Sequence, residues 1–96
     1  MLFAIICHDK AGHFATRMAI RPDHLAYLEP FRDRILLAGP LLADDGETSI
    51  GSLLVVDFPD KATAERFAAD DPYARGGLFD SVAVTHWRQV IPAQGS

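Results

Sequence analysis

The chain has 96 residues, 49% hydrophobic and 23% charged, with a formal net charge of −4. That is one small domain with apolar residues enough for a core, too acidic for phosphate-dominated nucleic-acid binding and without a basic stripe to suit an anionic membrane. The single cysteine, Cys7, excludes an internal disulfide. No apolar run reaches transmembrane length, and the N-terminus lacks the basic region and cleavage site of a signal peptide, so a reducing, cytoplasmic setting is the expectation.

Leu2–His8, "LFAIICH", is short, apolar and rich in strand formers, and reads as strand 1. A polar stretch follows, with a short helix expected from His13 to Ala19. Helix 1 should start near Pro22, because proline at the first helical position lacks only an N–H that would have no partner there. Asp23 then suits the positive end of the helix dipole, and Pro30 should kink or break the helix between Ala26 and Pro30. Arg34–Ala43 is strand 2, where Gly39-Pro40 implies an edge position or a bulge. "DDGET" is a turn and Ser49–Phe58 is strand 3. Asp60 is the expected N-cap of helix 2 over "DKATAERFAADD". "PYARGG" reads as a loop or short turn, and Leu78–Ile91 as an alternating strand 4. No repeat, low-complexity tract or linker divides the chain, which predicts one domain over residues 1–91 and a flexible tail over 92–96.

The order β-α-β-β-α-β is the ferredoxin-like, α+β pattern. Its four-stranded antiparallel sheet should run 2-3-1-4, since parallel crossovers are right-handed. Two helices cover one face of such a sheet. A solvated second face would demand strict alternation, yet "FAIIC", "ILLAG" and "LLVV" are apolar throughout. A second copy of the chain is the expected cover, giving a homodimer joined through sheet faces.

The same topology gathers polar groups at one rim: His8 and Asp9, Arg21 and His24, Asp45, Asp71 and Tyr73. At about 100° per residue His24 shares an inward stripe with Leu28, Phe31 and Ile35, one turn from the expected helix start. It reads either as a packed core histidine or as a general acid or base, whose unperturbed pKa of about 6.5 lets it exchange a proton near neutrality. A carboxylate on its other nitrogen, from Asp45 or Asp71, would fix the tautomer. The nearby helix N-terminus would favour the neutral ring. Gly39 lets a ligand approach strand 2 or marks a bulge. Tyr73 is a donor to an anionic or phenolic oxygen or a half-buried cap. Neither GxGxxG, a P-loop, HExxH nor a nucleophile elbow occurs, so no cofactor and no metal is expected. A metal would need His8 and His24 to meet at the rim.

Four stretches together resemble the YciI-like, or YCII-related, family: "RPDHLAYL", "LLAGPL", "GSLLVVDF" and "DDPYARGGLFDSVAV". The likeness spans Met1 to Val90. It implies a ferredoxin-like fold in a dimeric α+β barrel assembly, with a pocket centred on a histidine and an aspartate suspected to be catalytic. The histidine matches His24, and Asp71 lies in the family's Asp-Pro-Tyr motif. Gly39, Pro40, Ser52 and Tyr73 match family positions assigned here to substrate binding, with Arg21 beside them. Some relatives act on oxidised or chlorinated aromatic compounds. The chain departs at Pro30, at His86-Trp87, and in the short turn that holds Asp45.

The expected function is a small cofactor-free enzyme. His24, oriented by an aspartate, would move a proton on a small organic acid or hydroxylated aromatic, in isomerisation, elimination or hydrolysis, while Arg21 or Tyr73 holds an anionic oxygen. The alternative is a non-catalytic dimer that binds a small metabolite. That reading would tolerate Gln or Asn at position 24, and the enzyme would not.

Overall fold

The computed structural model describes residues 1–93. The elements are β1 (Leu2–Asp9), α1 (Phe14–Leu28), a 3-10 helix (Glu29–Arg34), β2 (Ile35–Leu42), β3 (Ser49–Asp57), α2 (Lys61–Asp70), α3 (Pro72–Arg75) and β4 (Phe79–His86). The strands form one antiparallel sheet in the order β2-β3-β1-β4. The α+β ferredoxin-like arrangement is therefore the one the element order predicts. The tail expected over 92–96 falls, from residue 94 on, outside the described residues.

In β1, Phe3, Ile5 and Cys7 are buried and face the helices. They pair with Val56, Leu54 and Ser52 of β3. Phe3, Ile5, Cys7, Leu54 and Val56, with Phe58, Ala64, Phe67 and Ala68, make the core. Tyr27, Phe31, Phe58 and Phe67 close it as an aromatic cluster with ring centroids 4.8 to 6.1 Å apart. At the upper end of this pairing a Cβ on Gly51 would overlap the Cys7 carbonyl oxygen, so the close approach of β1 and β3 there requires glycine.

The short helix expected over His13–Ala19 and the helix 1 expected from Pro22 are one continuous helix, α1. Pro22 lies inside α1 rather than at its start. Its ring removes one i→i−4 hydrogen bond, but α1 is held on both sides of it, because Arg17 and His24 are both buried. They stand seven residues apart, on one face of the helix. His24 is therefore well inside the helix, and the argument from a nearby N-terminus lapses. The break expected before Pro30 does occur. α1 ends at Leu28 and tightens into the 3-10 helix, with Pro30 in its first turn. Phe31 and Ile35 thus pack against the core from the 3-10 helix and β2.

"PYAR" is a helical turn rather than a loop, and β4 ends at His86 instead of running to Ile91. Asp60 caps α2 as expected, accepting from the Thr63 N–H at 2.8 Å. The face turned away from the helices carries Ala4 and Ile6 of β1, Leu53 and Val55 of β3, and Leu37 of β2. Ile6 is 38% and Leu37 48% exposed. Among the described residues no helix is long and apolar enough to cross a membrane.

Candidate active site

Asp71 ends α2 and opens α3. Aspartate favours the N-cap because its side chain accepts a free first-turn N–H, and Pro72 at the next position loses nothing there. Asp71 Oδ1 accepts from the Tyr73 N–H at 2.9 Å. The same carboxylate faces His24: Nδ1 lies 2.9 Å from Oδ1 and 2.8 Å from Oδ2. Because a carboxylate only accepts, Nδ1 is the donor of this pair, and in the neutral form of the ring the lone pair is on Nε2. Among the described residues no buried side-chain nitrogen or oxygen lacks a partner. Nε2 has none, so it is open to the adjoining cavity.

The ring is held from its flat side as well. Tyr73 stacks on His24 with centroids 4.0 Å apart and planes at 18°. Phe79 meets the Tyr73 ring edge-on. Arg17 lies over that ring, its guanidinium carbon 4.4 Å from the centroid. Arg17 grips Asp9 through Nε at 2.6 Å and Nη2 at 2.9 Å, and donates from Nη2 to Ser52 Oγ at 2.8 Å. This is the two-pronged geometry for which a planar guanidinium is suited.

A cavity of about 180 Å³ adjoins Nε2. Arg17, Arg21, His24, Ser52 and Tyr73 form its polar wall. Leu25, Leu28, Ala38 and Leu54 form the apolar wall, with Gly39 and Pro40 of β2 between. Of the residues singled out in the sequence, Arg21, His24, Gly39, Pro40, Ser52 and Tyr73 thus meet at one cavity, with Asp71 directly behind. Wider clefts elsewhere, such as those of about 530 Å³ beside Trp87 and about 560 Å³ around Lys10, contain no hydrogen-bonded carboxylate–histidine pair.

Asp45 is not the partner of His24. It accepts from the Glu47 and Thr48 N–H groups and from the Thr48 hydroxyl, closing its own turn, and those bonds hold its carboxyl below the usual range. His8 is exposed and paired across the sheet with Gly51 and Ser81. Its side chain leaves by the open face, so it does not join His24. Among the described residues no group of three or more His, Cys, Asp or Glu could hold a metal ion. Arg17 had no part in the sequence expectations, and Asp9 entered only as a rim residue. The available signal was the seven-residue spacing of Arg17 and His24 on one helical face.

Burial pushes the Cys7 thiol up to about 12, helped by the charge of Asp71 and opposed by Arg17. Burial also raises the Tyr73 phenol, although Arg17 pulls it back. Both groups are protonated at neutral pH. Burial alone would lower Arg17, but its hydrogen bond to Asp9 raises it above the ordinary value.

A family profile for the YCII-related domain matches residues 1–88. Protein YciI of Escherichia coli O6:H1 is 34% identical over 98 residues, covering 95% of this chain and 100% of that one. Among solved structures, the 5-chloro-2-hydroxyhydroquinone dehydrochlorinase TftG of Burkholderia phenoliruptrix AC1100, in complex with 2,5-dihydroxybenzoquinone, superposes with a TM-score of 0.87 at 30% identity, covering 98% of this chain and 100% of its own. An antibiotic biosynthesis monooxygenase gives a TM-score of 0.50 at 13% identity over 93% of this chain and 100% of that one, a likeness of fold alone.

Proposed function

The chain belongs to the YCII-related domain family, and from that premise we propose that it is a small enzyme performing acid–base chemistry on a hydroxylated aromatic or small organic acid. The observation that carries this reading is the dyad. Asp71 holds Nδ1 of His24, and Nε2 opens to the cavity. The Nε2 lone pair would take a proton from a ring hydroxyl or from a carbon beside a carbonyl. The electron pair left behind moves into the ring system. In an elimination from a chlorinated ring, His24 carries the first hydroxyl proton to the chlorine-bearing carbon, giving the keto form. Loss of a second hydroxyl proton to His24 then expels chloride from that carbon and leaves the quinone, and His24 gives its proton to solvent. In an isomerisation the proton returns at another carbon. Neither course needs a cofactor. A well-placed general base contributes roughly 10²–10⁴-fold.

Arg21 is exposed at the cavity, and none of the ion pairs among the described residues includes it. It is assigned, with the Tyr73 hydroxyl, to the oxygen on which charge develops. The likeness to a dehydrochlorinase of a chlorinated hydroxyhydroquinone supports elimination among the possible courses. The working form is proposed to be a homodimer closed through the open sheet face.

The test combines 2,5-dihydroxybenzoquinone binding with chloride release from a chlorinated hydroxyhydroquinone. The wild type is expected to bind the quinone and release chloride. His24→Gln should bind within a few-fold of wild type yet lose at least about 10²-fold in rate. An unchanged rate in His24→Gln removes the histidine from the chemistry. Binding without turnover by the wild type identifies a metabolite-binding dimer instead.

A further inference from the structure

Beside His24, whose polarity Asp71 sets, Ser52 is a cavity group whose hydrogen bonding is constrained by the protein. Its Oγ accepts from Arg17 Nη2 at 2.8 Å, and a guanidinium can only donate. Arg17 cannot turn away, because Nε and Nη2 hold both oxygens of Asp9 and its side chain is 4% exposed. The Ser52 proton therefore cannot point at Arg17. Among the described residues no carbonyl or carboxylate accepts it. Ser52 is itself 4% exposed and lines the cavity, so the direction left for the proton is into that space. A hydroxyl that accepts from a cation is polarised and donates more strongly. Asp9 meanwhile balances the charge of Arg17, so the cavity floor offers a directed donor rather than a bare cation.

We propose that Ser52 is the specificity-determining donor of this cavity, aimed by Arg17, and that the ligand seats a negatively charged oxygen, phenolate or carboxylate, on it. The inference rests on the reading of the cavity as the substrate site and adds a rule of selection to it. A ligand that presents an N–H donor at that point must use the second lone pair of Ser52 and turn the Ser52 proton away to where no acceptor stands, so it binds less well than an oxygen anion. Arg17 acts through Ser52 and is a positioning residue.

The experiment uses two rings of nearly the same shape, 4-nitrophenolate and 4-nitroaniline, which differ in offering an acceptor or a donor at one position. Their binding, and that of 2,5-dihydroxybenzoquinone, is measured on wild type, Ser52→Ala and the double variant Asp9→Asn/Arg17→Met, with amide NMR spectra to check each fold. The wild type should prefer the phenolate. Ser52→Ala should lose roughly 10- to 100-fold of phenolate affinity with aniline binding unchanged, so the preference shrinks by that factor. The double variant, whose Ser52 rotates freely, should lose part of the same preference; if it keeps all of it, Arg17 does not aim Ser52. If the double variant does not fold, Ser52→Ala alone decides. A Ser52→Ala protein that weakens both rings equally, or neither, overturns the inference. So does a wild type that binds the quinone but shows no preference between the rings, and the site reading then stands. A wild type that binds none of the three overturns that reading and this inference together.

Discussion

Arg17 and Asp9 form an ion pair whose side chains are 4% and 5% exposed. A buried pair adds little net stability, but removing one partner leaves an uncompensated charge. Arg17→Met is expected to destabilise the protein by about 3–5 kcal/mol in urea unfolding. Asp9→Asn/Arg17→Met should cost clearly less than the sum of its parts, since the two groups are in direct contact. Cys7 sets a pH dependence. Its thiol ionises near 9.0 when unperturbed and near 12 in the fold, because burial disfavours the thiolate. The native state therefore keeps a proton that the unfolded chain releases. The stabilisation is complete below about pH 9 and is lost as pH rises toward about 12. Urea midpoints across that range should fall, and Cys7→Ala should flatten part of the fall; the half-buried Tyr27 phenol, pushed to about 12, and the buried Tyr73 phenol, also raised, contribute to the remainder. His24 is legible in the sequence as an inward-facing helical residue, whereas the residues alone leave Asp45 and Asp71 open and only the Asp-Pro-Tyr motif of the resemblance favours Asp71. Arg17 is not legible there. Arginine is by default a surface residue, and nothing in "FATRMAI" says that it folds inward. Its burial is made tolerable by Asp9 and Ser52, on strands that the local sequence does not contain.

The elements depart from expectation at their prolines. By its usual preference Pro22 suits a helix start, yet α1 runs through it from Phe14 to Leu28. Tertiary anchoring of Arg17 and His24 outweighs one lost backbone bond. Pro22→Ala restores that bond without touching either anchor, and is expected to raise stability by about 1–3 kcal/mol, read from denaturant midpoints at constant slope. Asp71-Pro72 shows the opposite case, in which local chemistry suffices. A capping carboxylate followed by proline starts α3, and the same cap brings the carboxylate onto His24. Asp71 therefore serves two elements at once, and Asp71→Asn should loosen both the α3 turn and the imidazole, visible as faster amide exchange at Tyr73 and lost rigidity of the His24 ring.

At the scale of the whole molecule, strand order was legible because one crossover rule and one element order leave a single simple sheet. The apolar second face was legible too, from strands that do not alternate. Ile6, Leu37 and the buried Val55 carry that face in the folded chain. An apolar surface of this kind calls for a partner, and two copies pressed face to face would hide it from both. Sedimentation should report a dimer, with a melting temperature that rises with protein concentration. Ile6→Asp/Leu37→Glu should shift it to monomer without unfolding the helix side. The central claim, however, is that Asp71 holds the Nδ1 proton of His24 and leaves Nε2 as a base facing the cavity. The most direct measurement is the pair of ¹⁵N shifts of the His24 ring, assigned by comparison with His24→Ala and recorded at a pH where the ring is neutral, with and without 2,5-dihydroxybenzoquinone. The account predicts a protonated Nδ1, an unprotonated Nε2, and a shift of Nε2 alone when the quinone binds. A ring protonated at Nε2, or one that ignores a bound quinone, would contradict it.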